Sequence, residues 1–305
     1  MNVVSRNCPV CSAIAQPGSQ TIKSTRNVAT ASDDELRASW RGFRKMNIFY
    51  PYVQCTICNT QYCPLYLAEE ELDKLYSEMD DNLAGEDLSA AAATQRGYLR
   101  QVEGYDLPRG AWVDIGADIG LLAHALGENS KVERVIAVEP NVKVRAELQA
   151  RLRPNDEILD NLNHLPKEAP VQGVIGVHVL DHVLSPRSFL GAISESLDDR
   201  GVVAFVTHSH GSFLRRLLRH RWAPYCLQHP QIYDSRSLTY LLSSCGFTDI
   251  RVQRTVNHIS IRKILRVGLS IIGLPTRIEK LVPNFVLKVP LGNVIVVGRK
   301  MTSLA

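Results

Sequence analysis

The stretch AWVDIGADIGLLAHALGENSKVERVIAVEP, residues 111–140, decides the fold. Two apolar runs flank a glycine-containing turn and a stretch with helical spacing, and the second run ends at an acid. A short apolar run bounded by glycine is typical of a buried strand. We therefore predict a strand over Val113–Ile115, a helix over Leu121–Gly127 and a strand over Val135–Val138.

Strand and helix patterns alternate from this stretch to residue 254. They predict strands over Glu157–Asp160, Gly173–Val179, Val202–Thr207 and Asp249–Arg254, and helices over Val142–Leu152, Ser188–Leu197 and Ser237–Cys245. Near the C-terminus, VLKVPLGNVIVVGRK at 286–300 predicts a hairpin strand that closes the sheet. Interleaved strands and helices indicate an α/β fold, a Rossmann-like parallel sheet with helices on both faces.

Four of the seven cysteines form two C-x2-C pairs, Cys8-Pro-Val-Cys11 and Cys55-Thr-Ile-Cys58. Each such turn directs two thiolates at one tetrahedral ion, so the four residues predict a structural zinc site with no open position. The 43 residues between the pairs exceed the usual zinc-finger spacing. Disulfides are disfavoured by the odd number of cysteines and the lack of an apolar leader. A redox pair is disfavoured by the distance between the motifs, and the choice between zinc and iron stays open.

The chain has 305 residues, 45% of them hydrophobic, and a net charge of +4. No apolar run reaches the roughly 18 residues of a membrane span, and no secretory signal is evident, which predicts a cytoplasmic protein. Residues 211–305 carry fifteen Lys or Arg and three acids. This basic third predicts an anionic partner, such as a phosphate-bearing substrate, a membrane surface or nucleic acid. The acidic run from Glu69 to Asp87 predicts a solvated helix face.

The turn after the first strand of the opening stretch reads D-x-G-x-x-x-G and holds two carboxylates. A dinucleotide-binding turn reads G-x-G-x-x-G, so that the backbone can approach a pyrophosphate. Here Asp118 stands where the middle glycine is expected, and its carboxylate would repel a diphosphate. Asp114, Gly116, Asp118 and Gly120 therefore predict a cationic ligand. S-adenosylmethionine, with a sulfonium and an ammonium group, fits that description.

Further polar residues stand at the tips of the next two strands. Glu139 can accept from both ribose hydroxyls of such a cofactor, and Asp160 can accept from the adenine amino group. These tips meet along the edge where open α/β sheets bind ligands. The cofactor-binding prediction also includes Asn161 and His178, with Leu159 and Leu162 against the adenine ring.

Together these motifs resemble a class I S-adenosylmethionine-dependent methyltransferase over Ala111–Lys300. VDIGADIGLLA resembles the first motif of that family, with Asp118 in place of glycine or asparagine, and VIAVEP resembles the second. VLDHVLSPRSF resembles the turn after the fourth strand, with Asp181 in place of glutamate, and SLTYLLSSCGFTDIRV resembles the late helix–strand unit. The two cysteine pairs and YLAEEELDKLY are similar to the zinc-binding N-terminal part of a subgroup that includes sugar C-methyltransferases.

The resemblance implies a seven-stranded Rossmann-like methyltransferase sheet and transfer of a methyl group. The predicted parts are a zinc-ribbon-like module over 1–66, connecting helices over 67–104 and a methyltransferase domain over 105–305. Within that domain, segments near 208–236 and 257–283 are predicted to be inserts that cover the site.

A methyl transfer needs a base when the acceptor must lose a proton, as an alcohol or a ketone α-carbon does. The predicted catalytic residues are His182, after the fourth strand, and Tyr225 and His229, in the histidine-rich loop after the fifth. His208 and His210 are further candidates for a base. A structural hydrogen bond to a loop is the alternative for each histidine.

The acceptor is predicted to be a small molecule methylated on carbon or oxygen, a sugar or a phosphate- or lipid-linked metabolite. Residues 259–274 place Arg262 and Arg266 opposite isoleucine and leucine, which fits either a helix on a membrane surface or a helix packed on the sheet. Nucleic acid is disfavoured because the basic third lacks regularly spaced aromatic residues. Two alternatives stay open, a non-catalytic docking protein with a methyltransferase fold and an RNA methyltransferase.

Overall fold

The structure is a computed structural model that describes residues 1–15, 21–24, 26–41, 48–77, 87–165, 169–271, 282–283 and 285–302. Its strands, in chain order, are β1 (Val3–Ser5), β2 (Thr21–Ile22), β3 (Tyr52–Gln54), β4 (Gln61–Tyr62), β5 (Leu65–Leu67), β6 (Gly110–Ile115), β7 (Val132–Val138), β8 (Glu157–Leu159), β9 (Val171–Val177), β10 (Leu197–His208), β11 (Gln231–Ile232), β12 (Phe247–Arg254), β13 (Asn257–Ser260), β14 (Val286–Val289) and β15 (Asn293–Lys300). Its α-helices are α1 (Asp33–Arg41), α2 (Glu69–Ser77), α3 (Leu88–Glu103), α4 (Leu121–Gly127), α5 (Arg145–Arg151), α6 (Pro186–Ser196), α7 (Phe213–Leu218), α8 (Ser235–Ser244) and α9 (Ile261–Ile271).

A seven-stranded sheet in the order β12-β15-β10-β9-β6-β7-β8 forms the centre of the molecule. Strands β10, β9, β6, β7 and β8 are parallel, and β15 runs antiparallel to both of its neighbours. The chain moves from β6 outward to β8 and then returns to β9 on the other side of β6. The carboxyl ends of β6 and β9 therefore border the crevice where sheets of this type bind ligands. The predicted Rossmann-like α/β sheet is confirmed.

Both faces of this sheet are buried, which explains why its strands read as continuous apolar runs. Val113 and Val174 pack into one hydrophobic cluster, and their neighbours Trp112 and Ile175 pack into the other. Successive side chains along a strand point to opposite faces, so each strand feeds both clusters. Gly173 makes room for an indole: a Cβ at that position would lie 2.4 Å from ring atoms of Trp112.

Two predicted elements differ from the structure. The helix predicted over 142–152 begins as a 3-10 turn over Val142–Val144 and continues as α5. Residues 286–300 do not form one hairpin, because β14 pairs with β13 in a separate sheet and β15 joins the central one. Gly292 lies between them with a φ of 93°, a conformation that favours glycine and lets the chain turn from one sheet into the other.

The N-terminal residues form a second layer that also contains part of the loop after β10. Strands β2, β3 and β4 form an antiparallel sheet with β11, which the loop supplies. The large aromatic side chains of this N-terminal layer are Trp40, Phe49, Tyr50, Tyr52, Tyr66, Trp222 and Tyr225. Because the loop gives a strand and two aromatic side chains to the layer, its position depends on the fold of the N-terminal residues. The boundaries near 66 and 104 stay predictions.

In the described residues, no helix combines the length and the apolar character that a membrane crossing requires. The amphipathic segment predicted over 259–274 consists of the end of β13 and then α9 as far as Ile271, and residues 272–274 lie outside the described ranges. Lys263 and Ile264 of α9 line a cavity at the carboxyl edge of the sheet. Residues 78–86 of the predicted acidic run also lie outside the described ranges.

Candidate active site

A cavity of about 1560 Å³ opens at the carboxyl ends of β6, β7, β8 and β9. Ligand pockets commonly measure about 300–1000 Å³, so this one has room for a cofactor and an acceptor together. The side lined by Asp114, Gly116, Asp118, Glu139, Asp160 and Asn161 is called the cofactor end here. The side lined by Tyr76, His182, His208, Trp222 and His229 is called the acceptor end.

The turn after β6 contains two glycines with different roles. Gly116 has a φ of 70°, and a Cβ there would lie 3.1 Å from Cγ2 of Val179. Gly120 has a φ of 86°, and a Cβ there would lie 2.7 Å from Cδ1 of Leu148. Gly116 lines the cavity, and Gly120 does not. Gly120 directly precedes α4, and its lack of a side chain lets that helix approach α5. The structure therefore gives Gly120 a packing position and not a place in the cavity wall.

Glu139 is buried where β7 ends and holds the glycine turn in place. Its Oε2 accepts a hydrogen bond from the backbone N–H of Asp118 at 2.8 Å, and its Oε1 accepts one from that of Asn141 at 2.7 Å. Each oxygen keeps a second lone pair, so both predicted ribose contacts stay available. The carboxylate also supports Asp118 in a left-handed backbone conformation with a φ of 49°, a role that the sequence does not reveal.

Asp114 lies in β6 with only 1% of its surface exposed. Its Oδ2 is buried and has no hydrogen-bond partner in the described part of the chain. Burial raises the pKa of Asp114 to about 7, and the charge of Glu139 adds to the rise. A buried carboxylate oxygen without a donor is unfavourable, and a cationic group would satisfy it. The residues at this end therefore fit the ammonium and sulfonium charges of S-adenosylmethionine.

Asp160 and Asn161 form the outer rim of the cofactor end, after β8. The Asp160 carboxylate is exposed and lies 2.8 Å from Nδ1 of His164. Asn161 caps a short 3-10 turn by accepting a backbone hydrogen bond through Oδ1. Of the two leucines expected beside an adenine ring, Leu162 lines the cavity and Leu159 packs against the core instead.

His178 follows β9 and lies where the two ends of the cavity meet. Its φ of 56° is uncommon for a residue with a side chain, and such conformations cluster at functional sites. Its ring stacks on that of His208, with centroids 4.3 Å apart and planes 26° apart. Its Nδ1 is buried without a hydrogen bond, 3.6 Å from Oδ2 of Asp181. His178 therefore lines the cavity and also contacts His208 of the acceptor end.

Asp181 is fully buried beneath the acceptor end and orders the residues around it. Its carboxylate accepts hydrogen bonds from the Thr207 hydroxyl, from the backbone N–H of His208 at 3.1 Å and from Nδ1 of the same ring at 2.7 Å. Burial alone would raise the pKa of Asp181, but the imidazoles of His208 and His178 lower it well below its usual range. The side chain is therefore an ionised carboxylate.

The bond to Asp181 fixes the tautomer of His208. Because Nδ1 donates to the carboxylate, the neutral ring keeps Nε2 as an acceptor. No group among the described residues is hydrogen-bonded to Nε2, and the ring lines the cavity. Burial lowers the pKa of His208 to about 3, and His178 beside it lowers it further against the opposing effect of Asp181. A neutral imidazole oriented by a carboxylate is the arrangement of a general base.

The ligand atoms of His178, Asp181 and His208 lie within 4.8 Å of one another, as metal ligands would. The ring geometry argues against an ion there. An imidazole binds a metal in the plane of its ring, and two nearly parallel rings whose centroids are 4.3 Å apart cannot both do so toward one ion. The cluster is better described as a hydrogen-bonded pair, Asp181–His208, on which His178 packs.

His182 and His229, two of the predicted catalytic residues, face each other at the acceptor end. Their ring centroids are 4.7 Å apart and their planes are nearly perpendicular, at 82°. Nδ1 of His182 is hydrogen-bonded to the Tyr76 hydroxyl at 2.8 Å. The His229 ring also lies 4.9 Å from that of His208. Three imidazoles are therefore in contact within one wall of the cavity.

The environment of His229 differs from that of His208. Nδ1 of His229 donates to the Pro224 carbonyl at 2.7 Å and lies 3.4 Å from Sγ of Cys226. Burial would lower the pKa of His229, but the Cys226 sulfur, Asp181 and the Pro224 carbonyl raise it to about 9. A neutral and a protonated imidazole therefore stand side by side, and groups with separated pKa values are suited to acid and base roles.

Tyr225, the third predicted catalytic residue, lies outside the cavity. Its side chain is fully buried among the aromatic rings of the N-terminal layer. Its hydroxyl donates to Oε1 of Gln61 at 2.7 Å and accepts from Nε of Arg215 at 3.0 Å. This placement corrects the expectation that Tyr225 faces an acceptor. His210 is also a packing residue, since its Nε2 is bonded to the Asn59 carbonyl at 3.0 Å.

Tyr76 lines the cavity, although the sequence indicates only an apolar position of a helix. It belongs to α2, and its hydroxyl reaches the acceptor end through His182. Burial raises the pKa of Tyr76, so the phenol stays protonated. No local pattern signals this residue, because its position depends on how the N-terminal layer packs against the loop after β10.

The four cysteines predicted to bind a metal converge at one place outside this cavity. Sγ of Cys8 lies 3.5 Å from that of Cys58, and Sγ of Cys11 lies 3.4 Å from that of Cys55. All four sulfurs lie within 4.8 Å of one another, and none is in a disulfide. A tetrahedral zinc ion with Zn–S bonds of about 2.3 Å would set its sulfurs about 3.8 Å apart. The four thiols therefore fit such an ion.

A family model described as a methyltransferase domain matches residues 86–252. Among solved structures, one chain of the complex between the Haloferax volcanii Trm112 methyltransferase activator and a methyltransferase is 13% identical, with a TM-score of 0.51 over 72% of this chain and 97% of that chain. An S-adenosylmethionine-dependent methyltransferase from Thermotoga maritima is 19% identical, with a TM-score of 0.47 over 70% of this chain and 90% of that chain. One from Archaeoglobus fulgidus is 16% identical, with a TM-score of 0.46 over 76% of this chain and all of that chain (100%). A comparison with curated proteins finds no match.

The family match covers more than half of the 305 residues and includes β6 to β11, the strands and turns that border the cavity. The order of the seven-stranded sheet and the carboxylates at its edge agree with that match. The chain belongs to the methyltransferase domain family and is an S-adenosylmethionine-dependent methyltransferase.

Proposed function

We propose that the protein transfers a methyl group from S-adenosylmethionine to a carbon or oxygen atom of a small acceptor. The observation that carries the proposal is the division of one cavity into an end lined by carboxylates and an end lined by imidazoles. A cationic cofactor matches the first end. An acceptor that must lose a proton matches the second.

At the cofactor end, each residue has a separate role in the proposal. Asp114 binds the ammonium group through its unpartnered oxygen, and Glu139 accepts from the ribose hydroxyls. Asp160 and Asn161 stand at the rim where the adenine amino group can bond, and Gly116 leaves the backbone open to the ligand. The bound cofactor supplies an electrophilic methyl group on its sulfonium.

At the acceptor end, the imidazoles are proposed to hold the acceptor and to remove its proton. His208 keeps a free Nε2 because Asp181 fixes its Nδ1, and His182 and His229 surround the same space. Proximity of an aligned acceptor supplies much of the rate of a methyl transfer. A base adds to it when the acceptor is an alcohol or a carbon acid.

The proposed acceptor is a sugar, or a phosphate- or lipid-linked metabolite. The volume of about 1560 Å³ accommodates an acceptor of that size beside the cofactor. Lys263 lines the cavity, and the last third of the chain carries a large excess of cations, which favours an anionic group on the acceptor. The resemblance of the N-terminal cysteine pattern to that of sugar C-methyltransferases supports a sugar.

We also propose that Cys8, Cys11, Cys55 and Cys58 hold one structural zinc ion. The four sulfurs would complete its coordination, so the ion would stabilise the fold and take no part in the transfer. Stabilising this part of the chain matters for the site, because the N-terminal layer supplies Tyr76 and holds the loop that carries His229.

Calorimetric titration with S-adenosylmethionine tests the cofactor assignment. We expect Glu139→Ala to weaken binding about tenfold or more, because it removes the ribose acceptor and leaves two backbone N–H groups of the turn unpaired. Glu133→Ala is the matched control, since Glu133 lies on β7, the strand that Glu139 follows, and has an exposed carboxylate. Failure of the wild-type protein to bind the cofactor would refute the proposal. Equal affinities of the two variants would refute the role of Glu139.

Transfer of a radiolabelled methyl group to nucleotide-linked and lipid-linked sugars then tests the acceptor class. In an acceptor deuterated on carbon, methylation on carbon removes one deuterium from the methylated carbon of the product, whereas methylation on oxygen leaves every C–D bond in place. Transfer to RNA instead of sugars would overturn the acceptor proposal while leaving the cofactor assignment intact.

A further inference from the structure

Helix α7 presents an apolar face to solvent beside the cavity. Phe213 is 78% exposed and Leu217 is 65% exposed, and residues four apart lie on the same side of a helix. Leu214 and Leu218, each about 100° further around α7, line the cavity. Contiguous exposed apolar surface is typical of a site that contacts another molecule or a membrane. The helix therefore has two adjacent apolar sides, one toward the cavity and one toward solvent.

Several arginines lie on α7 or directly after it in the chain. Arg216, Arg219 and Arg221 are exposed and form no ion pair within the described residues. There is no acid between residues 210 and 233. Arg215 differs from these three because its Nε donates to the Tyr225 hydroxyl and ties α7 to the N-terminal layer. Arg216 therefore lies on α7 beside Leu217, and Arg219 and Arg221 lie in the 3-10 turn that follows the helix.

Strand β14 continues this surface on a neighbouring segment. Phe285, Val286 and Leu287 are exposed, and the exposed Lys288 follows them. The segment ends against α7, since a Cβ at Gly292 would lie 2.6 Å from the Cβ of Ser212, the residue that caps that helix. Val289, Pro290 and Leu291 line the cavity. Residues 285–302 contain no acid, so both segments combine exposed apolar side chains with cations that form no ion pair within the described part of the chain.

We propose that α7 and β14 dock the protein on a bilayer that contains anionic phospholipids. An apolar face flanked by arginine and lysine matches the acyl boundary and the headgroups of such a bilayer. A nucleic acid would need a row of stacking aromatic side chains, and α7 exposes one. This inference goes beyond the proposed function, because binding of the cofactor and transfer to a small acceptor do not require a membrane.

The proposed docking surface lies next to the wall of the cavity, so docking would affect how an acceptor enters. The two segments that contact the bilayer are the same two that supply Leu214, Leu218 and Leu291 to the cavity wall. An acceptor whose lipid chain stays in the bilayer would pass along apolar side chains to reach the imidazoles. A docked enzyme would therefore act on a membrane-held acceptor without extracting it.

Co-sedimentation of the full-length protein with vesicles tests the docking. We expect binding to phosphatidylcholine vesicles that contain phosphatidylserine to exceed binding to pure phosphatidylcholine about tenfold or more, and to weaken as salt is added. Phe213→Ser combined with Leu217→Ser should reduce it about tenfold. Replacing Arg216, Arg219 and Arg221 by Gln should abolish the preference for anionic lipid. Ile14→Ser is the matched control, because Ile14 is 77% exposed and lies far along the chain from α7.

Calorimetric affinity for S-adenosylmethionine separates this proposal from the proposed function. Variants of α7 should bind the cofactor as the wild type does, which also shows that they are folded. Wild-type protein that binds the cofactor but ignores anionic vesicles would overturn the docking alone. Self-association that Phe213→Ser abolishes, without vesicle binding, would also overturn it and assign the face to a contact between copies of the chain.

Discussion

The two ends of the cavity are built in different ways. The cofactor end comes from residues 114–162, where each contributing turn directly follows a parallel strand. The acceptor end brings Tyr76 from α2 together with His182, His208 and His229 from three separate segments. Turns at strand ends are placed by the sheet itself, whereas the covering segments are placed by long-range packing. The residues of the cofactor end are therefore close together along the chain, whereas those of the acceptor end are far apart.

The two ends also differ in the pKa of their buried aspartates. Asp114 and Asp181 are both buried aspartates at the carboxyl edge of the sheet. The pKa of Asp114 is raised to about 7 because burial and the Glu139 carboxylate both oppose its charge. The pKa of Asp181 is lowered well below its usual range because imidazoles and a hydroxyl surround it despite its burial. Asp114 thus has a carboxylate oxygen without a hydrogen-bond donor among the described residues, whereas Asp181 is already hydrogen-bonded to its neighbours.

Removing one of the four thiols proposed to hold zinc should produce the largest difference between the two ends of the cavity. We expect Cys58→Ser to lose the metal and to unfold the N-terminal layer, because structural zinc binds with about 10–16 kcal/mol in zinc-finger peptides. Methyl transfer should then be lost, while affinity for S-adenosylmethionine should fall only about threefold. Metal content, the melting curve and calorimetry measure the three effects.

Cys245→Ser is the control for that substitution, since Cys245 is a half-buried thiol outside the cluster. A Cys58→Ser protein that keeps full transfer activity would show that the acceptor end does not depend on the metal. A zinc-free protein that loses cofactor binding as completely as transfer would show that the two ends are not independent.

The next largest effect should follow from His229→Ala. Loss of a catalytic imidazole lowers the rate of transfer about a hundredfold or more, whereas the affinity for the cofactor should stay within about twofold, since the ring lies at the other end. Initial rates of methyl transfer and calorimetry give the two numbers. His124→Ala, an exposed position on α4, serves as the control.

The pH profile of the same reaction tells which ring takes the proton. The pKa of His229 is about 9 and that of His208 is about 3. A rate that rises up to about pH 9 would assign the base to His229, because its neutral form dominates only above that pH. A rate that is flat across neutral pH would assign the base to His208. Unchanged rates in His229→Ala would remove that residue from the site.

The smallest of the three effects is a pH dependence of cofactor binding. With a pKa raised to about 7, Asp114 is neutral in acid, so affinity for the cationic cofactor should fall by up to about tenfold per unit below pH 7 and level off above it. By the same linkage the raised pKa makes this group oppose folding increasingly as the pH rises from about 4 to about 7. Asp114→Asn should remove the dependence. A profile that persists in that variant would place the titrating group elsewhere.

Much of the cofactor end was predictable because its signals are local. The D-x-G-x-x-x-G turn and the acid after β7 identify Asp114 and Glu139, and both line the cavity. Gly120 was predicted in the same set, but its close approach to Leu148 shows a packing reason for that glycine. The pattern of the turn is the same for either reason, so only the distances distinguish them.

The acceptor end was predictable only in part. The histidine-rich loop predicted catalytic roles for both Tyr225 and His229. Tyr225 packs in the N-terminal layer, whereas His229 lines the cavity. For Tyr76 the sequence indicates an apolar helix position but no place in the cavity. Hydrophobic periodicity shows that a side chain is buried but does not show against which partner, and here the partner is more than a hundred residues away.

The sequence by itself determined the α/β sheet, the turn with its two carboxylates and the two C-x2-C turns, because each is signalled by a pattern of residues close along the chain. Only the tertiary structure decided that Asp181 orients His208, that Tyr225 is a packing residue and that α7 has one apolar side in the cavity and the other in solvent. These features arise where segments distant in sequence share one buried space. The free energy of that packing depends on all the partners together, so no single stretch of the chain predicts it.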